Sequence, residues 1–224
     1  MVRPFPKKGG RAPSDMHVEQ LEIMGRMLAR LQNVGGVTPA KYRLKIDPTT
    51  FGTQNLKFLM DNNFIPSQFR SIYKATVEQI VALIAPWFKG QTGIRIHGDC
   101  HPGNIIWREL EGPFFIDFDD MLMGPAIQNI WLVVPGTDSE ARQDRQILLE
   151  AYESIRPFDH SSLKLIEPLR TLRYIHFSAW IAKRYEDPSF KTAFPLFGSD
   201  GYWESQVNDL RFQLNLMSAA ESEW

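Results

Sequence analysis

Two short β-prone runs interrupt a chain whose other apolar residues recur every three or four positions. The runs NIIW and FFIDF flank a stretch of turn-forming residues, Glu109 to Pro113, and predict a β-hairpin with a turn of three to five residues. The spacing elsewhere is typical of amphipathic helices. The sequence therefore predicts a mainly α-helical fold with a small β hairpin.

The first helical pattern begins after Ser14 or Asp15, either of which could cap its first turn, and we expect it to stop at Gly35-Gly36. Its apolar residues are Val18, Leu21, Met24, Leu28 and Leu31. Further helices are predicted at about 53–62, 67–86, 139–155, 161–185 and 202–217. Two long helices are thus expected before the hairpin.

Composition narrows the class of protein. Hydrophobic residues make up 43% and charged residues 23% of the 224, which is ordinary for a globular protein. A net charge of -1 gives no reason to expect a nucleic acid or an anionic membrane as partner. The single cysteine cannot form an internal disulfide, so we expect a cytoplasmic location.

The chain contains no segment typical of export or of a membrane span. Residues 1–13 are basic and rich in Pro and Gly without a following apolar core, so they predict a linker, and 14–224 is expected to be one domain. The longest uncharged run, 121–137, contains two prolines and falls short of the ~20 apolar residues that a spanning helix needs. We expect no membrane association.

Polar side chains lie at the open end of the predicted hairpin. Asn104 precedes the first strand and Asp117 follows the second, so the two should be neighbours. Carboxylate and amide oxygens suit Mg²⁺, which also keeps waters and phosphate ligands. Asp99, on the loop before Asn104, would face the same space and could accept a proton.

These residues form a recognisable pattern. H-G-D-x-x-x-x-N from His97 to Asn104, with Asp117 of I-D-F-D thirteen residues after Asn104, resembles the catalytic loop and metal-binding segment of protein-kinase-like enzymes in the aminoglycoside phosphotransferase and choline kinase branch. Within that branch, HGDCHPGNIIWRE, FFIDFDDMLMGPAIQNIW and LRYIHFSAWIAKRYEDPSFKTAFPLFG are similar to the bacterial stress response kinase A group. The resemblance runs from about residue 4 to 216.

The resemblance implies a fold and a set of roles. The fold would be a protein-kinase-like C-terminal lobe, with linker 1–13 as the remnant of a hinge. Asp99 would be the catalytic base, His97 would organise the loop backbone, and Asn104 and Asp117 would hold Mg²⁺ on the phosphates of ATP. No Gly-rich loop or lysine-bearing strand is recognisable, so we expect the nucleotide-binding N-terminal lobe to be absent and the nucleotide-binding residues to be unknown.

Three further residues receive roles from the same resemblance. Asp119 and Asp120 would add negative potential or touch a second metal or the substrate. Asn129 stands where related sequences usually carry aspartate, and it would brace the catalytic loop through backbone N–H groups. Asparagine can accept such a hydrogen bond but without the assistance of a charge.

The implied function is transfer of the γ-phosphoryl group of ATP to a hydroxyl. The acceptor would be a protein Ser or Thr, as in the stress response kinase A group, or a small alcohol such as homoserine or choline, as in nearby branches. A different class remains open: a non-catalytic remnant, or one subunit of a split enzyme completed by a separate nucleotide-binding lobe. In that case the hairpin side bearing Ile105, Trp107 and Phe115 is expected to associate with that lobe or with itself.

Other patterns allow more than one interpretation. A zinc site of His97, Cys100 and His101 lacks a second Cys or His pair at ligand spacing, and a metallophosphatase lacks its paired metal-ligand motifs. Aromatic residues near the C-terminus could line an acceptor pocket or belong to the core: Trp180, Tyr185, Phe190, Phe194, Phe197, Tyr202 and Trp203. Four cations could be solvated or could contact an acidic substrate: Arg170, Arg173, Lys183 and Arg184.

Overall fold

The computed structural model describes residues 9–221, so the predicted linker residues 1–8 lie outside it. In chain order its regular elements are α1 Val18–Val37, α2 Gln54–Asp61, α3 Ser67–Ile84, β1 Ile94–Ile96, β2 Ile105–Arg108, β3 Gly112–Phe115, β4 Leu122–Gly124, α4 Ile127–Val133, α5 Ser139–Glu153, α6 Ile166–Arg184, α7 Pro188–Ala193 and α8 Asp200–Glu221. Helices dominate and the strands are short, which confirms the predicted fold class.

The chain forms two compact units, each made of two separated stretches. The described part of the first unit comprises residues 9–45 and 92–163, and it contains α1, all four strands, α4 and α5. The second unit comprises residues 46–91 and 164–221, with α2, α3 and α6 to α8. The H-G-D-x-x-x-x-N motif and Asp117 belong wholly to the first unit.

In the first unit α1 packs against α5. Leu21, Met24 and Leu28 are buried along α1, and Gly25 lies so close to the backbone of Leu148 in α5 that a side chain would not fit. Farther along α1, the buried Gln32 accepts a hydrogen bond from Tyr152 Oη at 2.6 Å. Both apolar burial and a buried polar pair therefore join these two helices.

The ends of α1 differ from the prediction. His17 is the N-cap and its backbone N–H donates to Gln20 Oε1 at 3.2 Å, so neither Ser14 nor Asp15 caps the helix. The helix also continues through Gly35-Gly36 to Val37, so the predicted stop is wrong. A Cβ on Gly35 would lie closer than 3.0 Å to the backbone oxygen of Arg95. Gly35 thus permits β1 to approach the helix.

Two separate two-stranded antiparallel sheets lie in the first unit. In the predicted hairpin, β2 pairs with β3 from Ile105 opposite Phe115 to Arg108 opposite Gly112. The second pair, β1 with β4, was not predicted, and it aligns Ile96 with Leu122. On the hairpin side expected to associate with a partner, Ile105 is buried whereas Trp107 and Phe115 are half-buried.

In the second unit α3 packs against α8, with the rings of Tyr73 and Trp203 edge to face at 5.3 Å. A π-helical turn, Pro48–Thr53, precedes α2 and begins at Asp47, whose Oδ1 accepts the N–H groups of Thr49 and Thr50. Pro168 lies in the first turn of α6, where a backbone N–H has no helical acceptor.

The C-terminal aromatic residues divide between core and surface. Phe197 and Trp203 are buried with their rings in contact at 5.9 Å, so they belong to the core. Trp180, by contrast, is half-buried and stacks with the exposed Phe177 at 5.8 Å, and the guanidinium of Arg184 lies over its ring.

Among residues 9–221 the structure contains no helix with the length and apolar character that a membrane span requires.

Candidate active site

The hairpin brings Asn104 and Asp117 to the same end. The backbone N–H of Ile116 donates to the backbone oxygen of Asn104 at 3.0 Å. This hydrogen bond is the last one between the two strands before Asp117. Asp117 has a left-handed backbone, with φ 59° and ψ 65°, a conformation that Asp tolerates better than most residues. Its side chain is exposed, so the carboxylate lies where an ion or a phosphate from solvent could reach it.

Asp99 and Asn104 are joined across the loop between β1 and β2. Asn104 Nδ2 donates to the backbone oxygen of Asp99 at 2.9 Å and to Asp99 Oδ2 at 3.3 Å. Because both contacts use the nitrogen, Oδ1 is the amide atom of Asn104 that could bind a cation. An amide oxygen and one carboxylate form the partial ligand set with which proteins hold Mg²⁺, the rest being waters and phosphate oxygens.

The His97 ring links the loop to the segment that carries Asp117. Its Nδ1 lies 3.3 Å from the backbone nitrogen of Asp99 and its Nε2 lies 2.8 Å from the oxygen of Ile116. Nδ1 must accept from an N–H, so Nε2 carries the proton that is donated to the carbonyl. The ring is buried and packs on Phe118 at 4.5 Å, which fixes this orientation.

Asp119 and Asp120 lie on a short 3-10 turn after Asp117, and both side chains are exposed. The turn is close to a cation that the sequence did not point to. Arg43 Nη1 donates to the backbone oxygen of Asp119 at 2.7 Å. The guanidinium of Arg43 therefore lies close to the turn that carries these exposed carboxylates.

Asn129, at the start of α4, is completely buried. Its Oδ1 accepts the backbone N–H of Gly98 at 3.3 Å, so the side chain contacts the loop one residue before Asp99. Its Nδ2 has no hydrogen-bond partner among the described residues. A carboxylate at this position would not carry that surplus donor.

His101, which the sequence analysis considered only as a zinc ligand, contacts Asp99. Its Nδ1 accepts the N–H of Gly103 at 3.0 Å, and its Nε2 lies 3.5 Å from Asp99 Oδ2. The sequence signal was its place two residues before a glycine in the same loop.

Cys100, between Asp99 and His101, points into the core, where burial raises the pKa of the thiol. Within residues 9–221 no group of three or more His, Cys, Asp or Glu is arranged to hold a metal ion, which gives the zinc interpretation no support.

Comparison with known proteins shows which family the chain resembles over its length. The model of the phosphotransferase enzyme family matches residues 4–166. Stress response kinase A of Escherichia coli is 38% identical over 204 residues, which cover 91% of this chain and 62% of that protein. Serine/threonine protein kinase RdoA of Salmonella typhimurium is 36% identical over 214 residues, covering 95% and 65%. The chain thus spans less than two thirds of the length of these relatives.

Solved structures share the fold at low sequence identity. Amicoumacin kinase bound to AMP-PNP and Ca²⁺ superposes with a TM-score of 0.64 at 15% identity, covering 93% of this chain and 62% of that chain. The choline kinase LicA of Streptococcus pneumoniae gives 0.59 at 15% identity, with 88% and 64% covered. The family match over most of its length makes this chain a member of the phosphotransferase enzyme family.

Proposed function

We propose that the chain forms the catalytic-loop part of an ATP-dependent kinase that phosphorylates a hydroxyl, with a protein Ser or Thr as the acceptor. The proposal rests on the hydrogen bond between the side chains of Asp99 and Asn104. Asn104 lies at the start of the hairpin, and the second strand of that hairpin leads into Asp117. The acceptor class follows the name of the Salmonella relative, a serine/threonine protein kinase. A cytoplasmic location belongs to the same proposal.

In the proposed reaction Asp99 accepts the proton of the acceptor hydroxyl. The hydroxyl oxygen forms a bond to the γ-phosphorus, the bond from that phosphorus to its bridging oxygen breaks, and ADP leaves. Asn104 Oδ1 and the Asp117 carboxylate would hold Mg²⁺, which neutralises phosphate charge when bound. Asp119 and Asp120 would add negative potential beside it.

Two buried side chains would hold the loop in place for this reaction. His97 ties the backbone of Asp99 to Ile116, so the base and the metal-binding segment would keep their separation. Asn129 would brace the N–H of Gly98. Such placement is the main contribution of the protein, because phosphoryl transfer depends chiefly on positioning and charge neutralisation.

The test uses the purified chain with labelled Mg-ATP and a generic protein acceptor such as myelin basic protein. Asp99→Asn should reduce transfer by at least about 100-fold, the lower end of the range for loss of a general base. Asp209→Asn is the matched control, since Asp209 is an exposed aspartate of α8 in the second unit, and it should leave transfer unchanged. Equal transfer by the Asp99→Asn variant and the wild type would refute the role of Asp99.

Binding separates the catalytic proposal from the alternative of a non-catalytic module. Mg-ATP at ten times its dissociation constant should stabilise the chain by about 1.4 kcal/mol, and Asp117→Ala should abolish the shift in melting temperature. A shift without any transfer would favour the binding module. The absence of both the melting-temperature shift and phosphoryl transfer would contradict nucleotide use by this chain.

A further inference from the structure

One peptide group leads into Asp99, and both of its polar atoms are held. Its carbonyl, that of Gly98, accepts a hydrogen bond from Gln128 Nε2 at 3.2 Å. Its N–H, that of Asp99, lies 3.3 Å from His97 Nδ1. The plane of this peptide sets the direction in which the Asp99 side chain leaves the backbone. Gln128 is 2% exposed, so solvent does not compete for its amide.

The orientation of the Gln128 amide is determined by its neighbour in α4. Trp131 Nε1 lies 2.9 Å from Gln128 Oε1, and an indole nitrogen can only donate. The oxygen of the amide must therefore face Trp131, which directs the NH₂ group to the Gly98 carbonyl. The two residues are three apart on one helix, the spacing at which side chains meet.

The helix that carries Gln128 is itself fastened. Gln32 of α1 donates from Nε2 to the oxygen of Ala126, just before α4, at 2.9 Å, and Tyr152 of α5 donates to Gln32. The peptide between Gly98 and Asp99 is also confined on the side away from α4. Gly98, with φ +88°, lies against the backbone oxygen of Asp120, so a Cβ would not fit there. The peptide is thus confined between α4 and the turn after Asp117.

We propose that Gln128 is a positioning residue for Asp99, and that Trp131 acts through it by fixing the amide orientation. The inference rests on the proposed function, because it assigns Asp99 as the group to be positioned. Asn129 holds the preceding peptide through the Gly98 N–H, so adjacent residues of α4 hold successive peptides of the loop. The glutamine supplies a donor where the asparagine supplies an acceptor.

The test replaces the donor without changing the shape. In Gln128→Glu one carboxylate oxygen still accepts from Trp131 while the other faces the Gly98 carbonyl, which repels it. Hydrogen exchange in peptides covering residues 97–104 should accelerate about tenfold, and kcat should fall about 10- to 100-fold while KM for ATP stays within about threefold. Trp131→Phe, a milder change, should shift both readouts in the same direction by a smaller factor.

Gln213→Leu is the matched control, because Gln213 is also a buried glutamine but lies in the second unit, where it accepts from Thr171 Oγ1 at 3.2 Å. It should destabilise the chain and leave both the exchange of residues 97–104 and kcat unchanged. Exchange in Gln128→Glu equal to wild type, or reproduced by Gln213→Leu, would overturn the proposal. Exchange needs no turnover, so an inactive wild-type chain would count against the proposed function alone, and the exchange data would still test whether Gln128 positions Asp99.

Discussion

Replacing Gly35 by alanine should destabilise the first unit, although alanine is the better helix former. Two effects oppose each other. Alanine is favoured over glycine inside a helix by about 0.8–1.0 kcal/mol. The new Cβ, however, would lie closer than 3.0 Å to the oxygen of Arg95, whereas carbon and oxygen in contact are normally about 3.3–3.6 Å apart.

The obstacle at Gly35 is backbone, and it belongs to β1, which is paired with β4 and cannot rotate away as a side chain would. Overpacking of this kind costs about 1–3 kcal/mol, and the rigid neighbour places it in the upper half of that range. After the gain in helix propensity, Gly35→Ala should lose about 1–2 kcal/mol of the free energy of unfolding.

Gly36→Ala is the control, since it makes the same chemical change one residue later. Its Cβ would come no closer than 3.5 Å to the Arg156 guanidinium, so it should gain up to about 1 kcal/mol. Urea unfolding of both variants and the wild type gives the three free energies by linear extrapolation. A Gly35→Ala variant as stable as Gly36→Ala would refute the reasoning, because it would mean that β1 yields at little cost.

Two further predictions concern titratable groups whose pKa is shifted by burial. Burial, and then the charge of Lys183, lower the pKa of His176 to about 4 from 6.5. The contribution of this shift to the free energy of unfolding is therefore fully present above pH 6.5, and about 3 kcal/mol is lost as the pH falls to 4. His176→Phe should flatten this dependence in urea titrations, and an unchanged slope would contradict the assignment. Cys100, whose thiol pKa is raised by burial, should not react with Ellman's reagent until urea unfolds the chain. Reaction in the native state would show that the loop opens.

Local patterns predicted most of the helices and the hairpin. Apolar periodicity located α3 and α5 within about two residues, because each buries one face along its length. The pairing of β1 with β4 could not be predicted in this way. Each has three residues, too few to show alternation, and their partners lie far apart in the sequence. Gly35-Gly36 was misread because a helix stop and a close approach between elements use the same residue type.

At the candidate site, spacing predicted which residues lie at the same end of the hairpin. The hairpin rule brings Asn104 and Asp117 to one end, and the structure has them there. The contacts of Gln128 and His101 could not be predicted, because they depend on rotamers set by tertiary neighbours. Adjacent residues on α4 reach opposite sides of Gly98, a distinction that no sequence pattern contains.

The interleaving of the two units has a consequence for biosynthesis. The ribosome makes residues 46–91 before the stretch that completes the first unit, and it makes α8, against which α3 packs, only after that stretch. Tyr73, completely buried against Trp203 in the finished unit, lacks this cover while the nascent chain grows. A chaperone that shields α3 during translation would therefore act on a helix whose partner has not yet left the ribosome.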